Sequence, residues 1–369
     1  MSRMLVIVEP NKVGHQHNTF NKEFLKLFKD SNIHFIADPR TVTLIDNRYF
    51  NTHENINVID GESRKFIIKT LSEIYNILKI SIKYRKHNIL LLSISPQVLF
   101  IVEIIKLFFL PSQKIWINLH GELEGVFETK KQRINSYGFW IILWLKLRKV
   151  FQKINIVILS EYIFDSIKNK GYLIGKIDIN TFIINLPIPI QSPLQDNSNK
   201  EENNKDFLFI GQRSLKKGFQ EFLSIQKKSK YNEGFYSIGQ GRLIHHKKSG
   251  DEHYSFDDYL ESVAMFSVFI FPVLNGYKAT ISSALCDAVG SGLLILALRN
   301  PMTNYFNKIL GNKCIILFDS KYDLISYINE LNLEEVRDTA PNRIRILNQS
   351  EFAFSNIEKK AIKSLGLNK

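Results

Sequence analysis

One loop of this sequence carries the residue types that bind phosphate groups. The apolar run Phe207–Ile210 predicts a strand, and Gly211, Arg213 and Lys217 then precede an amphipathic helix. A glycine lets the backbone approach a ligand closely, an arginine offers a rigid fork of donors, and a lysine supplies a mobile charge. The pattern therefore predicts a diphosphate site. A solvated basic loop that caps a helix would use the same residues, so both interpretations stay open at this point.

A second strand–loop–helix segment lies further along the chain. The predicted strand Val268–Pro272 leads into a loop that contains Tyr277, and a helix is predicted over 279–290, with Thr280 in its first turn. The unpaired N–H groups and the dipole of a helix start favour an anion. Asp287 lies two turns further on, where a carboxylate suits the hydroxyls of a ribose. An ordinary capped helix explains the segment equally well.

Three titratable side chains follow another predicted strand, Lys114–Leu119. They are His120, Glu122 and Glu124, and Gly121 allows a sharp turn between the first two. A histidine and two carboxylates at one strand end are suited to general-base catalysis. Since strand-end loops of parallel sheets are where ligands bind, this cluster is the predicted catalytic site. A capping histidine beside solvated glutamates is the alternative.

The loop after the first predicted strand, Met4–Val8, contains Gly14, His15 and His17. The two imidazoles could act as bases or bind hydroxyl groups of a ligand. Their spacing would also suit a metal, but no cysteine or carboxylate completes a ligand set nearby. A helix-capping loop with exposed imidazoles is the other interpretation.

Short β-branched or aromatic runs alternate with longer helical patterns in both halves of the chain, which is typical of α/β domains with parallel sheets. The polar segment 191–205 predicts a linker between a domain over 1–190 and a domain over 206–369, which ends in helices. One of the predicted strands is Thr41–Ile45. We expect ligands in a cleft between the domains, at the carboxyl ends of the strands.

Composition narrows the class of protein. The 369 residues are 44% hydrophobic and 23% charged, which excludes disordered, collagen-like and coiled-coil proteins. Two cysteines, Cys286 and Cys314, are too few for a disulfide scaffold, so we expect a reducing, cytoplasmic location. The first apolar run stops at Val8, and no apolar stretch reaches the roughly 20 residues of a spanning helix.

The two chemistry-bearing segments of the second half resemble the donor domain of GT-B glycosyltransferases. The likeness is greatest to the glycosyl transferases group 1 family, which includes bacterial lipopolysaccharide and capsule enzymes. The matching residues are Gly211-Gln-Arg213, Lys217-Gly218, Asp287-Ala288, Gly292 and the closing strand Leu294–Ala297. The sequence departs from the family in having one residue fewer between Arg213 and Lys217. It also has Ala279 where the family has a glutamate.

The resemblance implies a GT-B fold, with two Rossmann-like domains facing across a cleft, and transfer of a hexosyl group without a metal ion or a cofactor. The nucleotide-sugar is then a substrate. The implied catalytic residues are His120, Glu122 and Glu124. The implied donor-binding residues are Gly14, Gly211, Arg213, Lys217, Tyr277, Thr280 and Asp287, with Asp287 on the ribose. His15 and His17 are implied to bind a saccharide acceptor.

The positive charge is concentrated in the first half. Residues 1–190 hold 26 basic and 16 acidic side chains, against 23 and 20 in the remainder, within a net charge of +13. A lipid surface or an anionic acceptor explains this asymmetry. We therefore expect a polyprenyl-linked saccharide acceptor and peripheral contact with the anionic inner face of a membrane. Residues 130–153 predict either an interfacial helix, with bases on headgroups, or a buried crossover helix.

Two other functions remain compatible with these residues. A GT-B-fold nucleotide-sugar epimerase would need similar diphosphate contacts without a membrane-facing domain. A basic, non-enzymatic protein that binds lipid or nucleic acid is the third possibility. The aromatic residues lie in apolar helical runs and not on an alternating basic strand, so nucleic acid is not an expected partner.

Overall fold

The computed structural model describes residues 4–14, 17–59, 66–108, 112–127, 136–151, 153–171, 180–191, 205–239, 242–247, 250–254 and 258–367, without the side chains of residues 66, 137, 149–151 and 254. The chain divides into two compact units. The first comprises Met1–Pro187, Lys278–Ile281 and Phe354–Lys369, and the second comprises Ile188–Tyr277 and Ser282–Ala353.

The first unit contains a parallel sheet of seven strands. They are β1 (Leu5–Val8), β2 (Ile33–Ala37), β3 (Thr52–Asn55), β4 (Asn88–Leu91), β5 (Ile115–Leu119), β6 (Asn155–Ile158) and β7 (Thr181–Ile183), in the spatial order β3-β2-β1-β4-β5-β6-β7. Its helices are α1 (Asn18–Lys26), α2 (Pro39–Val42), α3 (Phe66–Lys83), α4 (Pro96–Phe108), α5 (Tyr137–Phe151) and α6 (Glu161–Asn169). Short 3₁₀ turns span Asn47–Tyr49 and Glu122–Phe127.

The second unit contains a seven-stranded mixed sheet. Its strands are β8 (Lys205–Ile210), β9 (Phe235–Gly239), β10 (Arg242–Lys247), β11 (Gly250–Tyr254), β12 (Phe266–Phe271), β13 (Leu294–Leu298) and β14 (Ile315–Phe318), in the order β11-β10-β9-β8-β12-β13-β14. The helices are α7 (Phe219–Lys228), α8 (Tyr259–Ala264), α9 (Ser283–Gly290), α10 (Pro301–Leu310), α11 (Lys321–Glu330), α12 (Leu333–Asp338) and α13 (Ala340–Gln349), and a 3₁₀ turn spans Leu215–Lys217. The last helix, α14 (Phe354–Leu365), belongs to the first unit.

The central strands form for a simple physical reason. β1, β4, β5 and β12 are mostly apolar and are buried along their whole length, as expected of parallel strands that are covered on both faces. The predicted α/β class is therefore confirmed. In each sheet, successive strands are first added towards one edge and then towards the other. The change occurs between β1 and β4 in the first sheet and between β8 and β12 in the second. Ligands of open α/β sheets bind at such switch points, so the loops after these strands define where to look.

One predicted strand was wrong. The β-branched run Thr41–Ile45 was expected to be a strand, whereas its first two residues end α2, which has Asp38 as its N-cap and Pro39 as its first residue. The Asp38 carboxylate accepts the backbone N–H of Arg40 at 3.1 Å. An N-cap aspartate followed by proline is a strong helix start, and it outweighs the modest strand preference of the residues that follow.

Four strands had no counterpart in the sequence analysis. β3 and β7 are short edge strands without a buried run. β10 and β11 form an antiparallel hairpin beside β9, with His246 opposite Asp251 and His245 opposite Glu252. Their sequence is too polar to show the alternation that identifies a strand. Pairing with β9 and cross-strand polar contacts, such as the ion pair of Lys247 with Glu252 at 2.7 Å, stabilise them instead.

The centre of α5 is buried, so the crossover interpretation of residues 130–153 holds for the part that the structure describes, and residues 130–135 lie outside it. Trp144 and Arg148 are both fully buried. The indole N–H of Trp144 donates to Glu103 at 3.4 Å, and the Arg148 guanidinium lies 3.6 Å from the same carboxylate. Trp144 and Arg148 thus serve an interior ion pair and are not available to a membrane surface. A membrane contact by the rest of residues 130–153 stays a prediction.

A buried carboxyl network holds the loop that follows β1. Glu9 accepts hydrogen bonds from the backbone N–H groups of Asn11 and Lys12 at 3.2 and 3.1 Å. It also accepts a hydrogen bond from the hydroxyl of Ser93. Glu73 of α3 accepts the N–H and the hydroxyl of Ser95 at 2.7 and 2.6 Å. Burial raises the pKa of Glu73 to about 7. The folded chain therefore favours the protonated form of this carboxyl group.

This network predicts a pH-dependent stability. Since the pKa of Glu73 is higher in the folded chain than the ordinary value of 4.5, its ionisation destabilises the fold as the pH rises from 4.5 through 7. Glu73→Gln removes that cost and keeps a hydrogen-bonding side chain. We expect the free energy of unfolding of the variant at pH 8 to exceed that of the parent by about 3 kcal/mol, and this difference should nearly vanish near pH 4.5.

Urea unfolding at several pH values measures this difference. The exposed Glu330, changed to Gln, is the control and should leave the pH profile of the parent unchanged. If Glu73→Gln raises the free energy of unfolding equally at pH 4.5 and pH 8, the raised pKa of Glu73 in the folded chain is contradicted.

Candidate functional site

The loop between β8 and α7, residues 211–218, is here called the cationic loop. Gly211 has φ 126° and Gly218 has φ 76°, both in the left-handed region that favours glycine. A Cβ on Gly218 would lie 2.7 Å from the carbonyl oxygen of Pro272, directly after β12. Only glycine at this position lets the loops after β8 and β12 touch, and they touch at the switch point of the sheet.

Arg213 of the cationic loop is held by a chain of hydrogen bonds. Its Nε–H donates to the Ser237 hydroxyl oxygen at 3.0 Å. The Ser237 hydroxyl lies 2.8 Å from Nε2 of His246, whose Nδ1 lies 2.9 Å from the Asp251 carboxylate. Nη2 of the arginine also donates to the carbonyl of Arg242 at 3.4 Å. We call the four residues Arg213, Ser237, His246 and Asp251 the arginine relay.

The order of donors in the arginine relay follows from its ends. An ionised Asp251 only accepts, so Nδ1 of His246 carries the proton and Nε2 accepts the hydroxyl proton of Ser237. The lone pairs of Ser237 then face the guanidinium of Arg213. Burial lowers the pKa of His246, which keeps the imidazole neutral, as this arrangement requires. The relay thereby fixes Nε of Arg213 while other N–H groups of its five-donor fork remain to bind an anion.

Lys217 is held by Tyr277. Its ammonium donates to the Tyr277 hydroxyl at 2.7 Å and lies 5.0 Å from the centre of the same ring. Tyr277 is buried and has φ 52°, a strained conformation for a residue other than glycine. Strain of this kind is retained where the surroundings fix the residue. Here the strained conformation accompanies the contact of Tyr277 with Lys217 of the cationic loop.

The helix after Tyr277 begins later than predicted. α9 starts at Ser283, with the Ser282 hydroxyl accepting the N–H of Leu285 at 3.4 Å, so Thr280 is not in its first turn. Thr280 belongs to the segment Lys278–Ile281 of the first unit. There its hydroxyl donates to the carbonyl of His120 at 3.0 Å. The predicted place of Thr280 in the first turn of a helix was therefore wrong, and its predicted contact with the donor stays a prediction.

Asp287 lies within α9 and is buried. Its carboxylate accepts the hydroxyl of Tyr259 at 2.9 Å. Burial and the neighbouring Asp287 raise the pKa of Tyr259 well above its usual value, so the phenol stays a donor. The contact orients the carboxylate. Its role toward a ribose stays a prediction.

His120 lies at the carboxyl end of β5 in a cluster of aromatic rings. The ring of His17 is 4.8 Å from that of His120, and the ring of Phe20 is 4.9 Å away. Burial, followed by the charge that His120 can carry, lowers the pKa of His17 to about 2. His17 therefore stays neutral and unsuited to base catalysis near pH 7. Its geometry supports a role in positioning His120, and its predicted acceptor contact stays a prediction.

The two glutamates after His120 have different environments. Glu122 accepts the N–H of Gly121 at 3.0 Å, and burial raises its pKa. Glu124 instead accepts the backbone N–H groups of Lys278 and Ala279 at 3.2 and 2.7 Å. Glu122 thus has the environment of a proton-transfer group, whereas Glu124 is engaged in holding a backbone segment.

The loop after β1 places one of its three predicted residues beside His120. Gly14 has φ 59°, and its N–H donates to the Thr41 hydroxyl at 2.9 Å, which fixes the turn. His15 lies outside the described residues. Only His17 is brought to the catalytic cluster by the structure as described.

Sequence reasoning did not find three members of the arginine relay. Ser237, His246 and Asp251 come from β9 and the hairpin that was not predicted. The adjacent His245-His246 in a polar segment was the available signal, and it gains meaning only when the strand register sets His246 opposite Asp251.

Two kinds of site are absent from the part of the chain that the structure describes. No group of three or more His, Cys, Asp or Glu side chains in that part of the chain is placed to hold a metal ion. None of the helices that the structure describes combines the length and the apolarity needed to cross a bilayer.

Comparison with known proteins gives a consistent answer at the level of fold. No protein-family model and no curated protein matches the sequence. Among solved structures, HepE of Anabaena in complex with UDP-glucose has a TM-score of 0.66 at 12% identity, covering 99% of both chains. A glycosyltransferase from Rickettsia africae has a TM-score of 0.57 at 13% identity, over 99% of this chain and 98% of its own.

A third similar structure is WaaG, a glycosyltransferase involved in lipopolysaccharide biosynthesis. Its TM-score is 0.59 at 11% identity, over 98% of this chain and all of its own. At these identities the likeness concerns the fold. The predicted GT-B fold, with its two Rossmann-like sheets, is confirmed over the whole length of the chain.

The arginine relay generates a prediction about the diphosphate site expected from the sequence. Ser237→Ala removes the acceptor of the Arg213 Nε–H and leaves the guanidinium less constrained. We expect nucleoside diphosphate binding to weaken about tenfold, since a hydrogen bond to a charged group contributes roughly 1.5–3 kcal/mol. Isothermal titration calorimetry with UDP and GDP measures the change.

The same unit offers a matched control. The hydroxyl of Ser267, also a buried serine, accepts the Nε–H of Arg337 at 3.1 Å, away from the cationic loop. Ser267→Ala should alter stability and not nucleotide affinity. Equal affinities of Ser237→Ala and Ser267→Ala would show that the relay does not position Arg213 for a ligand.

Proposed function

We propose that this chain transfers a sugar from a nucleotide-sugar to a hydroxyl group of a saccharide acceptor. The observation that supports this most is the pair of held cations, Arg213 and Lys217, on the loop at the switch point of the second sheet. HepE, which shares the fold, was solved with UDP-glucose. The diphosphate of a nucleotide-sugar gains negative charge as its bond to the sugar breaks, and such cations stabilise that charge.

The proposed reaction assigns a role to each group. The acceptor oxygen forms a bond to the anomeric carbon while the bond from that carbon to the diphosphate oxygen breaks. Arg213 and Lys217 bind the departing diphosphate, and Asp287 binds the ribose. His120 acts beside the sugar, either as the base that takes the hydroxyl proton or by contacting the substrate. Glu122, whose pKa is raised by burial, is the alternative proton acceptor.

Two sets of variants separate donor binding from chemistry. Arg213→Ala with Lys217→Ala should abolish the thermal stabilisation that the cognate nucleotide-sugar gives the parent. His120→Ala should keep that stabilisation and lower turnover by about 100-fold, the size expected for a lost proton-transfer group. Differential scanning fluorimetry with UDP-, GDP- and CMP-sugars, followed by a nucleoside diphosphate release assay, provides both readouts.

Matched variants control for general effects. Arg345→Ala with Lys308→Ala removes two exposed charges from the same unit, and His53→Ala removes an exposed imidazole from the first unit. Both variants should match the parent in thermal stabilisation by the nucleotide-sugar and in turnover. Absence of stabilisation by every nucleotide-sugar would contradict the proposed function. A change in sugar configuration without diphosphate release would indicate an epimerase.

We further propose that the acceptor is lipid-linked and that the contact with the membrane is made by α3. The apolar side chains of this helix that are more than half exposed are Ile67, Ile68, Leu71, Tyr75 and Ile82. Their spacing places them on one face, and the only acidic residue of α3 is the buried Glu73. Exposed apolar faces of this kind are rare on proteins that contact only water.

The charges around α3 favour a bilayer with anionic lipids as the partner. Lys79 lies on the exposed side of the helix, and Arg85 and Lys86 follow its carboxyl end, all three exposed. Lys83 is paired with Glu54 at 2.7 Å and contributes less. An apolar stripe that enters the interface beside bases that contact headgroups is the arrangement of an interfacial helix.

The α3 surface can be tested without turnover. Leu71→Gln with Tyr75→Gln should weaken binding to phosphatidylglycerol-containing vesicles at least about tenfold, because burying each apolar side chain contributes roughly 1.5–3 kcal/mol. Vesicle co-sedimentation measures the loss. Tyr322→Gln is the control, since Tyr75 and Tyr322 are both 64% exposed. Vesicle binding that the α3 variant retains in full would exclude α3 as the contact.

A further inference from the structure

A cavity of about 410 Å³ lies at the amino ends of β5 and β6 in the first unit. Lys114 directly precedes β5, and Lys153 lies two residues before β6. His120 follows the other end of β5, and a strand rises about 3.3 Å per residue, so the cavity is about 20 Å from the proposed catalytic cluster. It also belongs to a different unit from the cationic loop.

Four lysines from four separate parts of the chain line this cavity, here called the lysine cavity. They are Lys106 of α4, Lys114, Lys153 and Lys363 of α14. No aspartate or glutamate is among its described lining residues. Like charges gathered around a space repel one another, and an anion in that space removes the repulsion.

The environment of Lys106 shows that these charges are close. Burial, together with the charge of Lys153, lowers the pKa of Lys106. The charge of Glu103 acts on Lys106 in the opposite sense and is outweighed. The same carboxylate accepts the backbone N–H groups of Lys153 and Ile154 and the indole N–H of Trp144. Glu103 thus fixes the backbone that carries Lys153.

Neutral donors complete the lining. Trp116 of β5 lines the cavity and is 2% exposed, and its buried indole N–H has no hydrogen-bond partner among the described residues. A buried donor without a partner is costly, and such groups point to a ligand or a water. Asn155 adds a side-chain amide to the same lining.

We propose that the lysine cavity binds a phosphate-bearing anion, a site separate from the donor diphosphate site and independent of the proposed sugar transfer. Lysine ammonium groups bind phosphate as point charges, and the cavity volume lies in the range of small-ligand sites. The phosphate belongs either to a soluble compound or to a lipid headgroup. The exposed Phe108 at the end of α4, two residues beyond Lys106, makes the second source structurally reasonable.

Inorganic pyrophosphate is the probe for the soluble source. The titration uses the full chain with Arg213→Ala and Lys217→Ala, so that the proposed donor site does not contribute. We expect saturable binding by calorimetry and a change in tryptophan fluorescence. Adding Lys114→Gln with Lys153→Gln should weaken that binding at least about tenfold, because two charge-assisted contacts are lost.

Two further variants complete this experiment. Lys29→Gln with Lys168→Gln removes two exposed lysines of the same unit that do not line the cavity, and should bind pyrophosphate as the parent does. Trp116→Phe should abolish the fluorescence change and weaken binding. The variant with Lys114→Gln and Lys153→Gln is here called the cavity variant. Equal affinities for pyrophosphate in the cavity variant and in its control would overturn the proposal for soluble phosphates.

Vesicles of phosphatidylglycerol and phosphatidylcholine separate the two sources. If the headgroup is the ligand, the cavity variant loses affinity for phosphatidylglycerol vesicles, and pyrophosphate competes with them. If a soluble compound is the ligand, pyrophosphate affinity falls in the cavity variant while vesicle binding is unchanged. Absence of saturable pyrophosphate binding, together with vesicle binding that is equal in the cavity variant and its control, overturns the proposal.

Discussion

The close approach of Gly218 to the carbonyl of Pro272 is the constraint on which the second unit's candidate site depends. Parallel strands end at the same edge of a sheet, and the loops after β8 and β12 must share the space at that edge. A side chain at Gly218 would separate them, since its Cβ would meet the Pro272 oxygen at 2.7 Å. The contact places Lys217 within reach of Tyr277, and it fixes the loop on which Arg213 stands.

The candidate residues differ in how many of their hydrogen-bonding groups already have a partner within the protein. Arg213 is held at one edge of its guanidinium and has donors remaining, which suits a binding group. Glu124 accepts two backbone N–H groups, which suits a structural group. The ring of His17 packs against that of His120, and His17 stays neutral. Hydrogen-bond partners and burial thus distinguish, among residues of similar chemistry, those that can contact a substrate from those that position a neighbour.

The sequence predicted the features that depend on local pattern. The central buried strands and the delivery of His120 and Arg213 to strand ends both follow from the apolar runs and the glycines and polar residues that end them. What it did not predict depends on contacts between distant segments. The β10–β11 hairpin is polar and is stabilised by its neighbour β9, so the relay behind Arg213 appears only with the strand register. Likewise, the sequence left open whether residues 130–153 form an interfacial or a buried helix, and the interior contact of Trp144 is with Glu103, 41 residues away.

The segment Lys278–Ile281 belongs to the first unit, although its neighbours on both sides belong to the second. Neither unit is therefore a continuous stretch of chain. A fragment that stopped at the linker would lack the N–H groups accepted by Glu124 and the hydroxyl that binds the carbonyl of His120. The loop that carries the proposed catalytic histidine is thus shaped by residues more than 150 positions away. Cutting the gene at the linker would remove part of the first unit along with the second, so a truncation cannot isolate the function of either one.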